Sequence, residues 1–346
     1  MEFACGVEVK RDAIVNLFKT PLVQVGAVEV TLKFSKRIFS NGLCFIELLR
    51  KAAQTEPPQP AAWQEKYSHP QALIDLLKSY VGKERMEKML QANNAIAPMT
   101  VQVNTMKTDE AALTAMLEEA GVQVQKHLWM ENCLVLSGTG SVEHLQSFKD
   151  GLFYVQDPAA KLSVLCAQLP KEPIRVLDCC AAPGGKSFAA AFFMNNTGEI
   201  YSFDIHESKL PLIEDGAARL GINIIKSGER DAREPDTALL GTADRVICDV
   251  PCSGLGVLAK KPDLRYKSED GIDELPALQY EILSASAKYL KLGGRLMYST
   301  CTLLREENEE VFDRFVRENG DYVPVDFCIG GERSEGGHFT FKPHIH

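Results

Sequence analysis

Residues 174–187, IRVLDCCAAPGGKS, carry a short apolar strand into a turn of two glycines followed by a lysine and a serine. In an open α/β sheet, a turn placed after a strand and ahead of a helix is where nucleotides and nucleosides bind. A phosphate loop of the form G-x-x-x-x-G-K-[ST] needs a glycine five places before Gly185, and that place is Cys180. The G-x-G-x-x-G spacing of a dinucleotide site is absent as well. The turn fits neither familiar phosphate pattern.

Outward from this turn, the chain from about residue 161 alternates strand and helix. IRVLD (174–178), EIYSFD (199–204), IIKSGERD (224–231), DRVICD (244–249) and GRLMYST (294–300) are the strand-type segments. Helical segments separate the first four, and LPALQYEILSASAKYL (275–290) precedes the last. The pattern predicts an α/β domain over 161–346, with a Rossmann-like, doubly wound and mainly parallel sheet.

Upstream, TVQVN (100–104), VQVQKHLW (122–129), CLVLSG (133–138) and LFYVQD (152–157) read as strands, with helices at DEAALTAMLEEAG (109–121) and SVEHLQSFKDG (141–151). That β-α-β-β-α-β order is the ferredoxin-like plan shared with RNA-recognition modules. The strands lack the aromatic signature of those modules, which leaves scaffold and base-stacking platform equally open. This α+β subdomain is assigned to 66–160 together with helices preceding it. Residues 1–65 are read as a short helical segment, including SKRIFSNGLCFIELLRKAA (35–53), and a proline-rich linker, QTEPPQPAAW (54–63).

The composition of the 346 residues, 45% apolar and 25% charged, is that of a soluble globular protein. No apolar run approaches the roughly 18 residues of a membrane span, and the first residues lack a signal-peptide core. A cytoplasmic protein with no membrane partner is expected. Ten cysteines are too sparse for a disulfide framework, and without paired C-x-x-C spacing no metal site is expected. The net charge of −9 argues against a broad nucleic-acid-binding surface, but it is uneven. Residues 1–90 carry 13 Lys and Arg against 10 Asp and Glu, leaving 25 against 37 for the remainder. The run KKPDLRYK (260–267) is a basic island in that acidic part, able to hold a phosphate backbone locally. Taken alone it reads equally well as a solvated loop.

The chemistry collects at the strand ends. Asp178, Asp204, Asp231 and Asp249 end the first four segments, and Asp204 falls 19 residues after Gly185, where a carboxylate accepts from ribose hydroxyls. Any one such aspartate is more often a cap or turn residue; four on successive strands around a Gly-Gly turn favour a nucleoside site. Gly184 and Gly185 let the backbone approach a ligand, and a ligand with adenosine but no phosphate, such as S-adenosylmethionine, fits. Cys252, in DVPCSGLG, and Cys301, in GGRLMYSTCT, follow the fourth and fifth strands. Neighbouring strand ends would bring the two together, although burial is the common fate of free cysteine. Cys248, inside its strand, reads as such a core thiol.

DCCAAPGGKS, RDAR, DVPCSGLGVLAKKPDLRY, LQYEIL and GGRLMYSTCT resemble successive motifs of the RNA cytosine-5 methyltransferases. LQANNAIAPMTVQVN and VQDPAA are similar to the bacterial small-subunit ribosomal-RNA branch (methyltransferase B, or Sun), and the resemblance covers about 66–346. DNA cytosine-5 methyltransferases share the prolyl-cysteine but lack the second cysteine as nucleophile. The resemblance implies an S-adenosylmethionine-dependent enzyme acting on a single-stranded or loop cytosine of 16S ribosomal RNA, expected as a monomer. It places Cys180, Ala181, Ala182, Pro183, Gly184, Gly185, Lys186, Asp204, Asp231 and Asp249 around the cofactor, with Asp249 also facing the cytosine. Cys301 corresponds to the nucleophile and Cys252 to the cysteine that helps release product. Asp249, protonated or bridging, is expected to donate to the base, and a helix over REENEEVFDRFVREN (305–319) to lower the Cys301 thiol. A transfer-RNA or DNA cytosine methyltransferase, and a non-catalytic RNA-binding chaperone, are the alternatives. FSNGLCFIELLRKAA resembles the last helix of a NusB-like domain. The ending PHIH falls where the family continues into a last strand beside GRLMYST, so both ends are expected to be truncated.

Overall fold

The computed structural model describes residues 62–170, 172–267, 271–329 and 332–341. The helix read over 35–53, most of the proline-rich linker and the terminal PHIH lie outside them. The chain forms two compact units, Met1–Asn94 and Ala95–His346.

The described part of the first unit is helical: α1 (Trp63–Tyr67), α2 (Gln71–Val81) and α3 (Lys83–Asn94). Leu73, Ile74 and Leu77 of α2 and Met86, Met89 and Leu90 of α3 recur at helical spacing and are buried. The Tyr67 hydroxyl donates to Glu87, and Asn94 Nδ2 donates to the Tyr67 carbonyl, tying the first helix to the third. Helices α2 and α3, read above with the ferredoxin-like segment, therefore cluster with the N-terminal unit.

The second unit opens with β1 (Met99–Val103), α4 (Glu110–Glu119), β2 (Gln123–Lys126), β3 (Cys133–Ser137), α5 (Gln146–Lys149) and β4 (Phe153–Val155). The strands pair antiparallel in the order β2-β3-β1-β4, the expected ferredoxin-like plan. Helix α6 (Pro158–Cys166) leads into β5 (Arg175–Asp178), α7 (Gly185–Phe193), β6 (Glu199–Asp204), α8 (Leu210–Leu220), β7 (Ile225–Glu229) and β8 (Ala243–Asp249). Then come α9 (Leu275–Ala287), β9 (Leu290–Ser299), α10 (Glu309–Glu318) and a short hairpin, β10 (Cys328–Ile329) and β11 (Glu332–Arg333). Strands β5 to β9 make one parallel sheet in the order β7-β6-β5-β8-β9. Val176, Leu177, Ile200, Val246 and Ile247 are wholly buried at its centre. The strand order turns at β5, so the crevice beyond β5 and its neighbours is where a ligand binds in such a sheet.

Alternation along β1, β3 and β4 decides the role of the ferredoxin-like sheet. Val101, Val103, Leu134, Leu136 and Phe153 pack with Leu113 and Leu117 of α4. The residues between them, Thr100, Gln102, Cys133 and Tyr154, point to the opposite face and are buried too. Tyr154 meets the Phe188 and Phe192 rings of α7 at centroid distances of 5.9 and 5.5 Å. The face that an RNA-recognition module would offer to bases is thus covered by the parallel-sheet domain. The sheet is a scaffold.

Polar contacts lock this joint. Asn104 Nδ2 donates to the carbonyls of Gly151 (2.7 Å) and Leu220 (2.8 Å). Arg219 donates to the Phe148 and Phe153 carbonyls and lies 3.8 Å from the Phe148 ring centroid. Gly151, at φ +69°, comes so close that a Cβ would sit 1.9 Å from the Arg219 carbonyl oxygen. Both elements here are backbone, so neither can give way cheaply. Gly151→Ala should therefore lower unfolding free energy by about 2 kcal/mol or more, measured from the urea midpoint; a loss under about 0.5 kcal/mol would mean the joint is loose.

Candidate active site

The glycine turn lies across the ends of β5 and β6. The Cys179 N–H donates to the Ile247 carbonyl and the Ala181 N–H to the Phe203 carbonyl, which pins the turn to both neighbouring strands. Gly184 stands at φ +107° with the Phe188 ring against it, where a Cβ would fall 2.5 Å from Cζ. Helix α7 then starts at Gly185 with no side-chain cap, so the residue before it offers no side-chain acceptor to the helix's first N–H groups.

Two aspartates flank the turn. Asp204 is buried at the end of β6, and its two oxygens accept from the Ala182 and His206 N–H groups at 3.1 and 3.0 Å. Those bonds orient the carboxylate. Asp178 is fully buried; its Oδ2 accepts from Ser187 at 2.7 Å, and burial pushes its carboxyl up to about 7. Asp231 stands differently from its expected place: β7 stops at Glu229, and Arg233 grips the Asp231 carboxylate through Nε and Nη2.

Lys186 does not project from the turn as a phosphate ligand. Its Nζ is held 2.6 Å from Asp249 Oδ2, and Ser299 Oγ donates to Asp249 Oδ1 at 2.6 Å. Asp249 thereby bridges β8, β9 and the glycine turn.

Cys252 and Cys301 do come together, with sulfurs 3.0 Å apart. Cys301 is the more exposed. Its N–H also donates to Cys252 Sγ at 3.1 Å, and its carbonyl accepts from Gly256 at 2.9 Å. The hydrogen bond from Cys252 draws the Cys301 thiol below its ordinary value, helped by the charges of Lys261 and Lys186 against burial and Asp249. The same bond, with burial, pushes the Cys252 thiol up. Burial likewise raises Cys179 (to about 12), Cys180 and Cys248. The expected helix contribution is not the cause: α10 begins at Glu309, eight residues past Cys301, and a helix terminus acts within about one turn.

Behind the sulfurs lies a buried clamp that the sequence reading missed. Glu307 is wholly buried, and its Oε2 accepts from the Ser253 N–H (2.9 Å) and Gln279 Nε2 (2.8 Å). Gln279 Nε2 also donates to the Pro251 carbonyl, Ser253 Oγ meets Thr302 Oγ1 at 2.7 Å, and Asn308 bonds Thr300 and Thr302. Each loop that carries a cysteine is therefore fixed on both sides of its sulfur. Gln279 sits in LQYEIL, a stretch recognisable as a motif but silent about this role. Among the described residues, no group of three or more His, Cys, Asp or Glu is placed to hold a metal, and no helix is long and apolar enough to cross a membrane.

Residues 166–345 match the family model described as 16S rRNA methyltransferase RsmB/F, and residues 69–143 match the ferredoxin-like domain of Methyltr_RsmF/B-like proteins. The chain is 39% identical over 260 residues to the probable ribosomal RNA small subunit methyltransferase B of Bacillus subtilis, covering 74% of this chain and 58% of that protein. It is 34% identical over 291 residues to the corresponding probable enzyme of Synechocystis, covering 82% and 65%. The crystal structure of PH0851 superposes with a TM-score of 0.76 at 31% identity, covering 88% of this chain and 70% of that one. The chain thus spans about six tenths of the length of the curated relatives it matches.

The thiol pair sets a pH dependence. Iodoacetamide should modify Cys301 ahead of the other described cysteines, with a rate midpoint below that of a free thiol, about 8.5. In Cys252→Ala the hydrogen bond is gone, and the midpoint should move upward. A midpoint unmoved by that substitution, followed by mass spectrometry, would show that the neighbouring sulfur does not tune Cys301.

Proposed function

Because this chain belongs to the 16S rRNA methyltransferase RsmB/F family, we propose that it methylates C5 of a cytosine in small-subunit ribosomal RNA through a covalent bond between Cys301 and C6 of the base. The observation that carries this reading is the sulfur pair itself: an exposed thiol of lowered pKa, 3.0 Å from a second thiol of raised pKa, beside the Lys186–Asp249 ion pair.

The residues at the glycine turn fit S-adenosylmethionine. The uncapped start of α7 and the close-packed Gly184 leave backbone at the crevice, and Asp204 is oriented by two N–H groups with lone pairs left for ribose hydroxyls. Lys186 is engaged by Asp249, as suits a ligand without a phosphate chain. Gly184, Gly185 and Asp204 would hold the cofactor, which supplies an electrophilic methyl group on sulfur.

Cytosine C5 is a weak nucleophile until the ring's aromaticity is broken. The Cys301 thiolate donates its electron pair to C6, and the C5–C6 π pair moves onto C5 and into the ring, so that C5 can form a bond to an electrophilic methyl group, whose former bonding pair stays on the sulfur it leaves; C5 then carries both the methyl and its original hydrogen. Asp249, with Lys186 and Ser299 bonded to it, presents a fixed polar group on the side of the base. Once the Cys301 sulfur is bonded to carbon, it no longer carries the charge that raised the Cys252 thiol. The Cys301 N–H still points at Cys252 Sγ and stabilises a thiolate there. Cys252 can then take the C5 proton; the C–H pair restores the C5–C6 double bond and expels the Cys301 thiolate. A base reaches these sulfurs only when unstacked, so a single-stranded or loop cytosine suits the site.

Two measurements test this. Cys252→Ala should trap a protein–RNA adduct that survives denaturing electrophoresis, and Cys301→Ala should form none; an adduct in the Cys301 variant alone would reverse the two roles, and none in either would remove the covalent step. Asp204→Ala should weaken S-adenosylmethionine binding by about 1.5–3 kcal/mol, as expected when hydrogen bonds to a charged acceptor are lost; unchanged affinity in calorimetry would take Asp204 out of the site.

A further inference from the structure

The turn between β2 and β3 presents three residues outward from the ferredoxin-like scaffold. Leu128 is 97% exposed and Trp129 42% exposed, both unusual for residues of their size. The His127 ring meets Trp129 edge-on, with centroids 4.6 Å apart and planes at 86°, so the indole is held rather than free. Met130, next in sequence, is buried with Cys133 and Leu162 and anchors the tip from below.

This tip lies beside the loop that borders the catalytic thiol. Asp157, which caps α6, is within electrostatic reach of His127 and forms an ion pair with Lys260. Lys260 and Lys261 both bond through their N–H groups to the Val257 carbonyl, and neighbouring Gly256 bonds the Cys301 carbonyl. Trp129 is thus linked toward Cys301 by its ring contact with His127, the electrostatic interaction of His127 with Asp157, the Asp157–Lys260 ion pair and the backbone hydrogen bonds of residues 256–261. Along this link, residues 260–267 carry Lys260, Lys261, Arg265 and Lys267 against Asp263, with Tyr266 55% exposed. On a chain of net charge −9, this is a basic, aromatic strip beside the sulfur pair.

We infer that the β2–β3 tip and the run 260–267 form a track for single-stranded RNA, on which Trp129 stacks a base flanking the one that enters the active site. The inference rests on the reading of the sulfur pair as an RNA-modifying centre. A strand that delivers an unstacked base to Cys301 must run over the surface around it. Alternating cations and exposed rings are what hold a single strand without reading its sequence. The ferredoxin-like sheet does not provide the rings, because its central strands β1 and β3 are largely buried on both faces and the exposed edge strand β2 carries no aromatic residue. Its hairpin tip does. A protein partner would favour an apolar patch without this density of lysine.

The chain has two tryptophans, Trp63 and Trp129, which makes the test direct. In full-length Trp63→Phe, titration with a single-stranded RNA of about 12 nucleotides bearing one central cytidine should quench the remaining emission by half or more. Trp129→Ala should weaken binding of the same RNA about 5- to 20-fold, with Trp129→Phe recovering most of it. The same titration in Trp63→Phe/Cys301→Ala should quench equally, since stacking precedes chemistry. Emission unchanged at saturating RNA, or a Trp129→Ala affinity equal to that of the parent, would overturn the track even if the Cys252→Ala adduct forms. Quenching and weakened binding without any adduct would instead leave the track standing and remove the proposed chemistry.

Discussion

Strands β8 and β9 leave the sheet in the same direction, with Asp249 opposite Ser299, and the whole candidate site hangs from that register. Parallel strands deliver their C-terminal loops to one edge, so the chain returns after 49 residues to set the second sulfur beside the first. The pairing continues past the strands: the Val250 N–H donates to the Ser299 carbonyl, and Ser299 Oγ to Asp249. A slip of one residue would reverse the faces of every side chain on β9, separating Ser299 from Asp249 and Cys301 from Cys252.

The strands alone do not hold two loops to within 3.0 Å. Glu307 does much of this from behind, through one carboxylate oxygen that serves the Ser253 backbone and Gln279 together. Its other oxygen is buried without a hydrogen-bond partner among the described residues. Cys301 is tuned by what this clamp fixes, a second sulfur and nearby lysines, and the helix beyond contributes position instead of field. The same proximity gives the two thiols opposite tendencies, one lowered and one raised. Neither tendency exists in an isolated cysteine.

The ferredoxin-like subdomain shows how a fold can be kept while its familiar use is given up. Its sheet is buried on the helix side by Leu113 and Leu117 and on the other by contacts such as Tyr154 with Phe188. Gln156, at the end of this sheet, lies so near the glycine turn that a Cβ on Gly185 would be 3.1 Å from its Nε2. Scaffold and turn therefore pack directly against each other.

Much of this was legible in the residues themselves. Alternation of apolar strands and helices was enough for both sheets, because side-chain period depends on local geometry alone. The Gly-Gly turn and the two cysteines stood out because few residue types perform those tasks. The resemblance of their motifs to a known family agreed with the matched models. Other features required the tertiary structure. Asp231 lies two residues past its strand and is held by Arg233, which strand periodicity could not reveal. Gln279 and Glu307 look like ordinary helix-surface residues in sequence, and only packing makes one carboxylate the support of two loops. Whether a sheet face is free or covered is likewise invisible to a local pattern, because a polar residue such as Thr100 or Gln102 reads the same whether it faces water or a neighbouring domain. Local sequence determined which elements form and which groups can react; long-range packing decided which of those groups meet, and at what distance.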